Sequence, residues 1–130
     1  MSVLELNGRV FDASTTGTLT LTGEGGAATT DVTQGLSKAW LSLDGTGTIS
    51  VTGSFNIGST ADNGTGNYTG NYTSNMSAAD YTILGSLTGS SNVMHCVSSR
   101  ASSSFTTIHR KYDNSLTDTK PMSAVVGDLA

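Results

Sequence analysis

An all-β fold, an antiparallel β-sandwich of jelly-roll or immunoglobulin-like type preceded by a strand-rich N-terminal arm, is predicted by three observations. Apolar residues alternate with polar ones along short runs and do not recur at helical spacing. Gly-rich and Asn-Gly clusters punctuate those runs every ~8–12 residues, the spacing of a sandwich or barrel. Ser and Thr supply 40 of the 130 residues and Gly another 16. Thr is β-branched and suits a pleated surface, whereas Ser and Gly suit turns.

The elements follow in order. Residues 1–35 read as an arm and linker. Leu4 and Leu6 alternate with polar neighbours, and Thr18–Thr22 alternates again around Leu19 and Leu21, while Ala27–Gln34 shows no periodicity. The sandwich is expected over 36–130. Ala39, Leu41 and Leu43 share one face of its first strand, with Trp40 and Ser42 on the other. Asp44-Gly45-Thr46-Gly47 turns the chain into a single strand from Ile49 to Ile57, with a bulge plausible at Gly53. Asp62-Asn63-Gly64 is the strongest hairpin signal, because Asn-Gly tolerates the positive φ of a primed turn. Tyr68, Gly70 and Tyr72 then share a face. A helical turn is expected within Ser74–Asp80. Strands follow at Tyr81–Leu87, Val93–Val97 and Phe105–Tyr112, and a closing one carries Met122, Ala124 and Val126. The total is about seven strands after the arm, consistent with a sandwich.

Composition excludes several classes of function. Net charge is −4 with six basic residues scattered along the chain, so no stripe is available to neutralise nucleic-acid phosphates. The longest apolar run falls far short of the ~20 residues that span a bilayer, so no membrane insertion is expected. One proline and a modest net charge argue against disorder. Met1–Leu6 lacks the basic and apolar regions of a secretory leader. Cys96 is the sole cysteine, expected as a reduced thiol in a chain made in a cytoplasm. Hydrophobic residues make up only 35%, against the usual ~45–50%, so oligomerisation that shares a core is expected.

Candidate chemistry is sparse, and no enzyme is expected. A structural zinc site wants four ligands, and His95, Cys96 and His109 are the only soft ligand types. His95 and Cys96 point to opposite faces of one strand, so no metal and no cofactor is expected. The exception would be a histidine meeting its copies on a three-fold axis. Glycoside hydrolysis needs two carboxylates about 5–10 Å apart, but the acids fall mostly in turns, where they satisfy backbone N–H groups. No G-x-S-x-G elbow occurs, and the Gly-x-Gly pairs do not open helices as a phosphate loop requires. Among the aromatics, Trp40 and Tyr81 read as core or interface plugs. Tyr68, Tyr72 and Tyr112 are candidate glycan contacts, since flat amphipathic rings suit sugars.

An ordered series of motifs adds a resemblance. Lys38-Ala39-Trp40, Asp44-Gly45-Thr46-Gly47-Thr48, Ser54-Phe55-Asn56-Ile57, Asp62–Thr69, Met76–Tyr81 and Val125-Val126-Gly127-Asp128 resemble, in that order, a domain at the C-termini of tail-fibre-like and head-fibre-like virion proteins of aquatic bacteriophages. Leu43 stands where that family usually has Phe, and residues 7–34 have no counterpart. The resemblance implies a short homotrimeric structural protein on the virion surface, made in the bacterial host cytoplasm and contributing to attachment to host-surface glycan. The alternative is a capsid decoration or cement protein without a ligand. Leu4, Leu6, Leu19 and Leu21 are then the candidate residues by which the arm pairs with neighbouring subunits or other virion proteins.

Overall fold

A computed structural model describes residues 36–89 and 91–127 in full, and before them the backbone of four short strands. Contacts divide the chain into two units, Met1–Leu36 and Ser37–Ala130. In the first unit β1 (Val3–Leu6) pairs antiparallel with β2 (Arg9–Asp12), and β3 (Thr20–Thr22) with β4 (Thr29–Asp31). Leu4 lies opposite Phe11, Leu6 opposite Arg9 and Leu21 opposite Thr30, whereas Leu19 falls outside the described residues. β4 forms where the sequence shows no periodicity. Its backbone pairs with β3, which needs no side-chain periodicity.

The second unit holds eight strands: β5 (Ser37–Asp44), β6 (Ser50–Phe55), β7 (Ile57–Asp62), β8 (Asn67–Tyr72), β9 (Thr82–Thr88), β10 (Val93–Ala101), β11 (Ser104–Lys111) and β12 (Lys120–Val126). They form two four-stranded antiparallel sheets, ordered β6-β5-β12-β9 and β10-β11-β8-β7, packed face to face as a β-sandwich. Four inner strands carry the core. Ala39, Leu41 and Leu43 of β5 and Val125 of β12 meet Tyr68 and Tyr72 of β8 and Phe105 of β11, with Met76 and Tyr81 from the connection between β8 and β9. Along β8 and β11 every second residue is buried, the alternation expected where one face meets a core and the other does not. The outer strands β6, β7, β9 and β10 bury little.

The expected strand from Ile49 to Ile57 is instead two strands in different sheets, because Asn56 breaks it. Asn56 has φ 56°, a left-handed conformation that Asn tolerates better than most residues. Its Nδ2 donates to the carbonyls of Lys38 (3.1 Å) and Ser74 (3.0 Å), and its Oδ1 accepts the Ser74 N–H at 2.7 Å. One side chain thus pins the corner to the start of β5 and to the end of β8.

Two other expectations change. Ser74–Asp80 forms bends and a bridge, not a helical turn. At the β7–β8 hairpin positive φ falls on Gly64 and Gly66, not on Asn63. Asp62 Oδ1 accepts the Gly64 N–H at 2.9 Å, and Asn63 and Asn67 close a longer loop. A side chain on Gly66 would put its Cβ 2.5 Å from the Thr117 carbonyl, so only glycine fits there. β12 turns Pro121, Ser123 and Val125 inward and leaves Met122, Ala124 and Val126 outward. Among the described residues no helix is long and apolar enough to cross a membrane.

The Asn56 corner makes a testable prediction. Asn56→Ala loses both the hydrogen bonds and the tolerance of positive φ, and is expected to cost about 2–3 kcal/mol. Asn56→Gly keeps the backbone tolerance and should fall between the two in urea denaturation.

Candidate functional site

The three tyrosines expected to offer sugar contacts do not share a surface. Tyr68 and Tyr72 are buried in the core, which removes both as ligand contacts. Tyr68 donates its hydroxyl toward Asp118 Oδ1 at 2.9 Å, with the Gly45 carbonyl at 3.2 Å. Burial and the Asp118 carboxylate together push its ionisation above the ordinary tyrosine range. Asp118 also accepts the Gly66 N–H at 2.7 Å, so this buried hydroxyl and one carboxylate join three loops. The Tyr72 ring packs edge-on to Tyr81 and against Phe105. Tyr81 is buried as expected and donates toward the carbonyls of Ser104 (2.7 Å) and Ala101 (3.0 Å). Tyr112, at 79% exposure, is the one tyrosine of the candidate set in solvent.

The outer faces of the two sheets differ in chemistry. On the β6-β5-β12-β9 sheet the cross-strand register sets Phe55 opposite Trp40, Trp40 opposite Ala124, and Ala124 opposite Leu84. With strands ~4.8 Å apart this makes an apolar row about 14 Å long. Met122 adjoins it on β12. Phe55, Trp40, Leu84 and Met122 are all exposed, Leu84 at 59%. Trp40 is therefore no core plug. Between Trp40, Leu84 and Met122 lies a shallow trough of about 380 Å³ floored by Gly85 and Ala124. The sole ion pair among the described residues, Lys120 to Asp44 at 2.6 Å, stands at one end of this sheet. Lys120 and the Thr46 hydroxyl and N–H hold the Asp44 carboxyl down at about 2.

The other sheet is polar on its outer face over β7, β8 and the start of β11. Thr69 and Thr106 share a hydrogen bond at 2.8 Å, Asn63 donates to Thr69 at 2.8 Å, and Asn71 donates to Ser59 at 3.1 Å. The apolar row eluded the sequence reading because Phe55, Leu84 and Met122 sit on strands whose other face is also partly apolar. The available signal was the phase of Trp40, which alternates out of step with Ala39, Leu41 and Leu43.

Both histidines lie between the sheets. They are direct cross-strand partners on β10 and β11, with ring centroids 5.1 Å apart. His95 Nε2 and Ser123 Oγ of the opposite sheet share a hydrogen bond at 3.1 Å, and His109 Nδ1 and Thr119 Oγ1 share one at 2.7 Å. The His95 ring lies where a side chain on Gly85 would stand, 2.4 Å from an added Cβ, so this glycine admits the imidazole. Fully buried between the sheets, His109 is not free to meet its copies on a three-fold axis. Among the described residues no group of three His, Cys, Asp or Glu could hold a metal ion. No family model, curated protein or solved structure matches the chain.

The pair has a consequence for acid stability. His109 is fully buried and its Nε2 has no hydrogen-bond partner among the described residues. Burial, reinforced by neighbouring His95 and opposed weakly by Asp118, lowers its pKa to about 4, and burial lowers that of His95 as well. Tyr68, whose ring packs on His109, stays neutral and contributes no charge. The unfolded chain takes up protons near pH 6.5 while the native His109 waits until about 4. Stability is thus full above pH 6.5 and declines as pH falls through that window, by roughly 3 kcal/mol for His109. Urea midpoints measured from pH 7.5 down to 4.5 should show the decline, and His109→Gln should flatten it.

Proposed function

We propose that this chain is a non-catalytic structural module of a bacteriophage particle, a short fibre-like component whose subunits associate as a homotrimer. The observation that carries the assembly half of this reading is the apolar row Phe55, Trp40, Ala124 and Leu84, with Met122, exposed across one whole sheet. Interface centres are depleted of charge and enriched in aromatic residues and Met, and this face has that composition. The particle half is supported by the ordered motif series from Lys38 to Asp128.

The occupant of the apolar face is a second copy of the chain. Its two charged residues at the margin, Lys120 and Asp44, neutralise each other, so identical faces meet without like-charge repulsion and need no oppositely charged partner. The face also holds complementary halves, a ridge of Trp40 and Phe55 beside the trough between Leu84 and Met122. Ridge into neighbouring trough is a heterologous contact, which closes into a ring when the rotation allows. Four strands at ~4.8 Å spacing give a face of only a few hundred Å², against the ~800 Å² per partner of a stable interface. The arm with its strands β1–β4 would supply the remainder, and in the particle it would also engage other virion proteins. The polar Asn and Thr face is left to solvent, available to host-surface glycan.

Light scattering on the purified chain is expected to give about 40 kDa, three times the 13.3 kDa chain. Trp40→Glu should shift this to monomer while leaving the β-rich circular dichroism intact. A monomer for the native chain at assembly concentrations would sink the trimer. Gold-labelled antibody on intact particles tests membership of the virion and separates tail from capsid, the latter favouring the cement role.

A further inference from the structure

The two sheets part along one side of the sandwich, where edge strand β9 faces edge strand β10. A cleft of about 510 Å³ opens there, lined by Thr82, Ile83, Val97, Ser98, Ser99 and Arg100 among others. That volume lies in the range of small-molecule sites, ~300–1,000 Å³. The local backbone is built for exposure. The β10–β11 register slips between Val97 and Ser99, so Ser98 is skipped in the pairing. Bulges of this kind re-aim side chains and recur beside binding sites.

Arg100 is the distinctive group. Its Nη1 donates to the Tyr81 carbonyl at 2.6 Å, which holds the guanidinium at the cleft wall. Among the described residues its Nε and Nη2 have no protein partner, and no carboxylate lies within ion-pair distance of it. This leaves, among the described residues, an exposed cation at the cleft without an ionic partner and with one fork of donors unused. An Arg fork matches a carboxylate in two parallel hydrogen bonds. Thr82, Ser98 and Ser99 add hydroxyls beside it, and Ile83 with Val97 adds an apolar wall suited to the C–H face of a sugar ring.

We propose that the β9–β10 cleft binds an acidic saccharide of the hexuronate type, its carboxylate on the free Nε–Nη2 fork of Arg100 and its hydroxyls on Thr82, Ser98 and Ser99. This site rests on the reading of the domain as a module exposed to host-surface glycan, and names the class of glycan. It lies at the far end of β10 from Val93, whose partner Lys111 precedes Tyr112, so the exposed tyrosine plays no part in it.

The test is an NMR titration of the full chain with a hexuronate oligosaccharide, its carboxyl-reduced neutral counterpart, and inorganic phosphate. The uronate should shift the amides of Thr82, Ile83 and Val97–Arg100, and the neutral sugar should bind about tenfold or more weaker. Arg100→Lys retains charge without the fork and should lose a similar factor. Thr82→Glu leaves the Arg100–Tyr81 bond untouched, sets a carboxylate on the rim and should abolish binding. Shifts confined to other surfaces, no shifts at millimolar uronate, or equal binding of the neutral sugar would overturn the site. Phosphate binding as tight as uronate would overturn the sugar class. Light scattering on the same samples reads assembly separately, so a trimer that ignores uronate refutes the cleft alone.

Discussion

A shortage of large apolar side chains is the constraint on which this sandwich depends. Four inner strands, β5 and β12 in one sheet and β8 and β11 in the other, hold most of the core, and three tyrosines with one phenylalanine fill its volume. Aromatic residues bury the most area per residue, so a chain poor in Leu, Ile and Val closes its core with few positions. Tyrosine brings a hydroxyl inside, and two of the three are satisfied by partners at loops: Tyr68 at Asp118 and Gly45, Tyr81 at Ala101 and Ser104. The core and the loop anchors are therefore the same residues.

The thin outer strands are held by a second device, single polar side chains that tie corners to backbone. Asn56 bridges Lys38 and Ser74, Arg100 holds the Tyr81 carbonyl, and Asp118 ties the β7–β8 loop to the approach to β12. Each replaces packing that the composition cannot provide, and each makes its corner sensitive to a single substitution. The histidine pair, His109 fully buried and His95 half-buried, extends the same economy of apolar residues into the space between the sheets, where His95 reaches Ser123 across the gap. The expected consequence is a sandwich that weakens in acid.

Four of the large apolar residues that the core does not use form one row on an outer face. Phe55, Trp40, Leu84 and Met122 sit together across the β6-β5-β12-β9 sheet, while the facing sheet exposes Asn and Thr joined by hydrogen bonds. An exposed apolar patch of this kind marks an interaction surface in a monomeric fold. The contrast between this apolar row and the Asn and Thr surface over β7 and β8, with the Arg100-lined cleft at the β9–β10 edge, is the basis of the proposed reading.

Alternation and turn chemistry by themselves determined that this is an all-β sandwich, because side chains on a strand must point to opposite faces and Gly and Asn mark reversals wherever they occur. They also determined the inward face of β5, where Ala39, Leu41 and Leu43 share one phase. Tertiary structure decided what local pattern leaves open. On β12 the more apolar phase, Met122, Ala124 and Val126, faces outward because Val125 and Ser123 are the residues that meet the opposing sheet. Asn56 divides one apparent strand between two sheets, since its corner exists only through bonds to Lys38 and Ser74. Tyr68 and Tyr72 are interior, not ligand-facing, because a core this poor in aliphatic residues needs their volume. Trp40 and Arg100 became candidates for function only once the register placed one in an apolar row and the other beside an open edge.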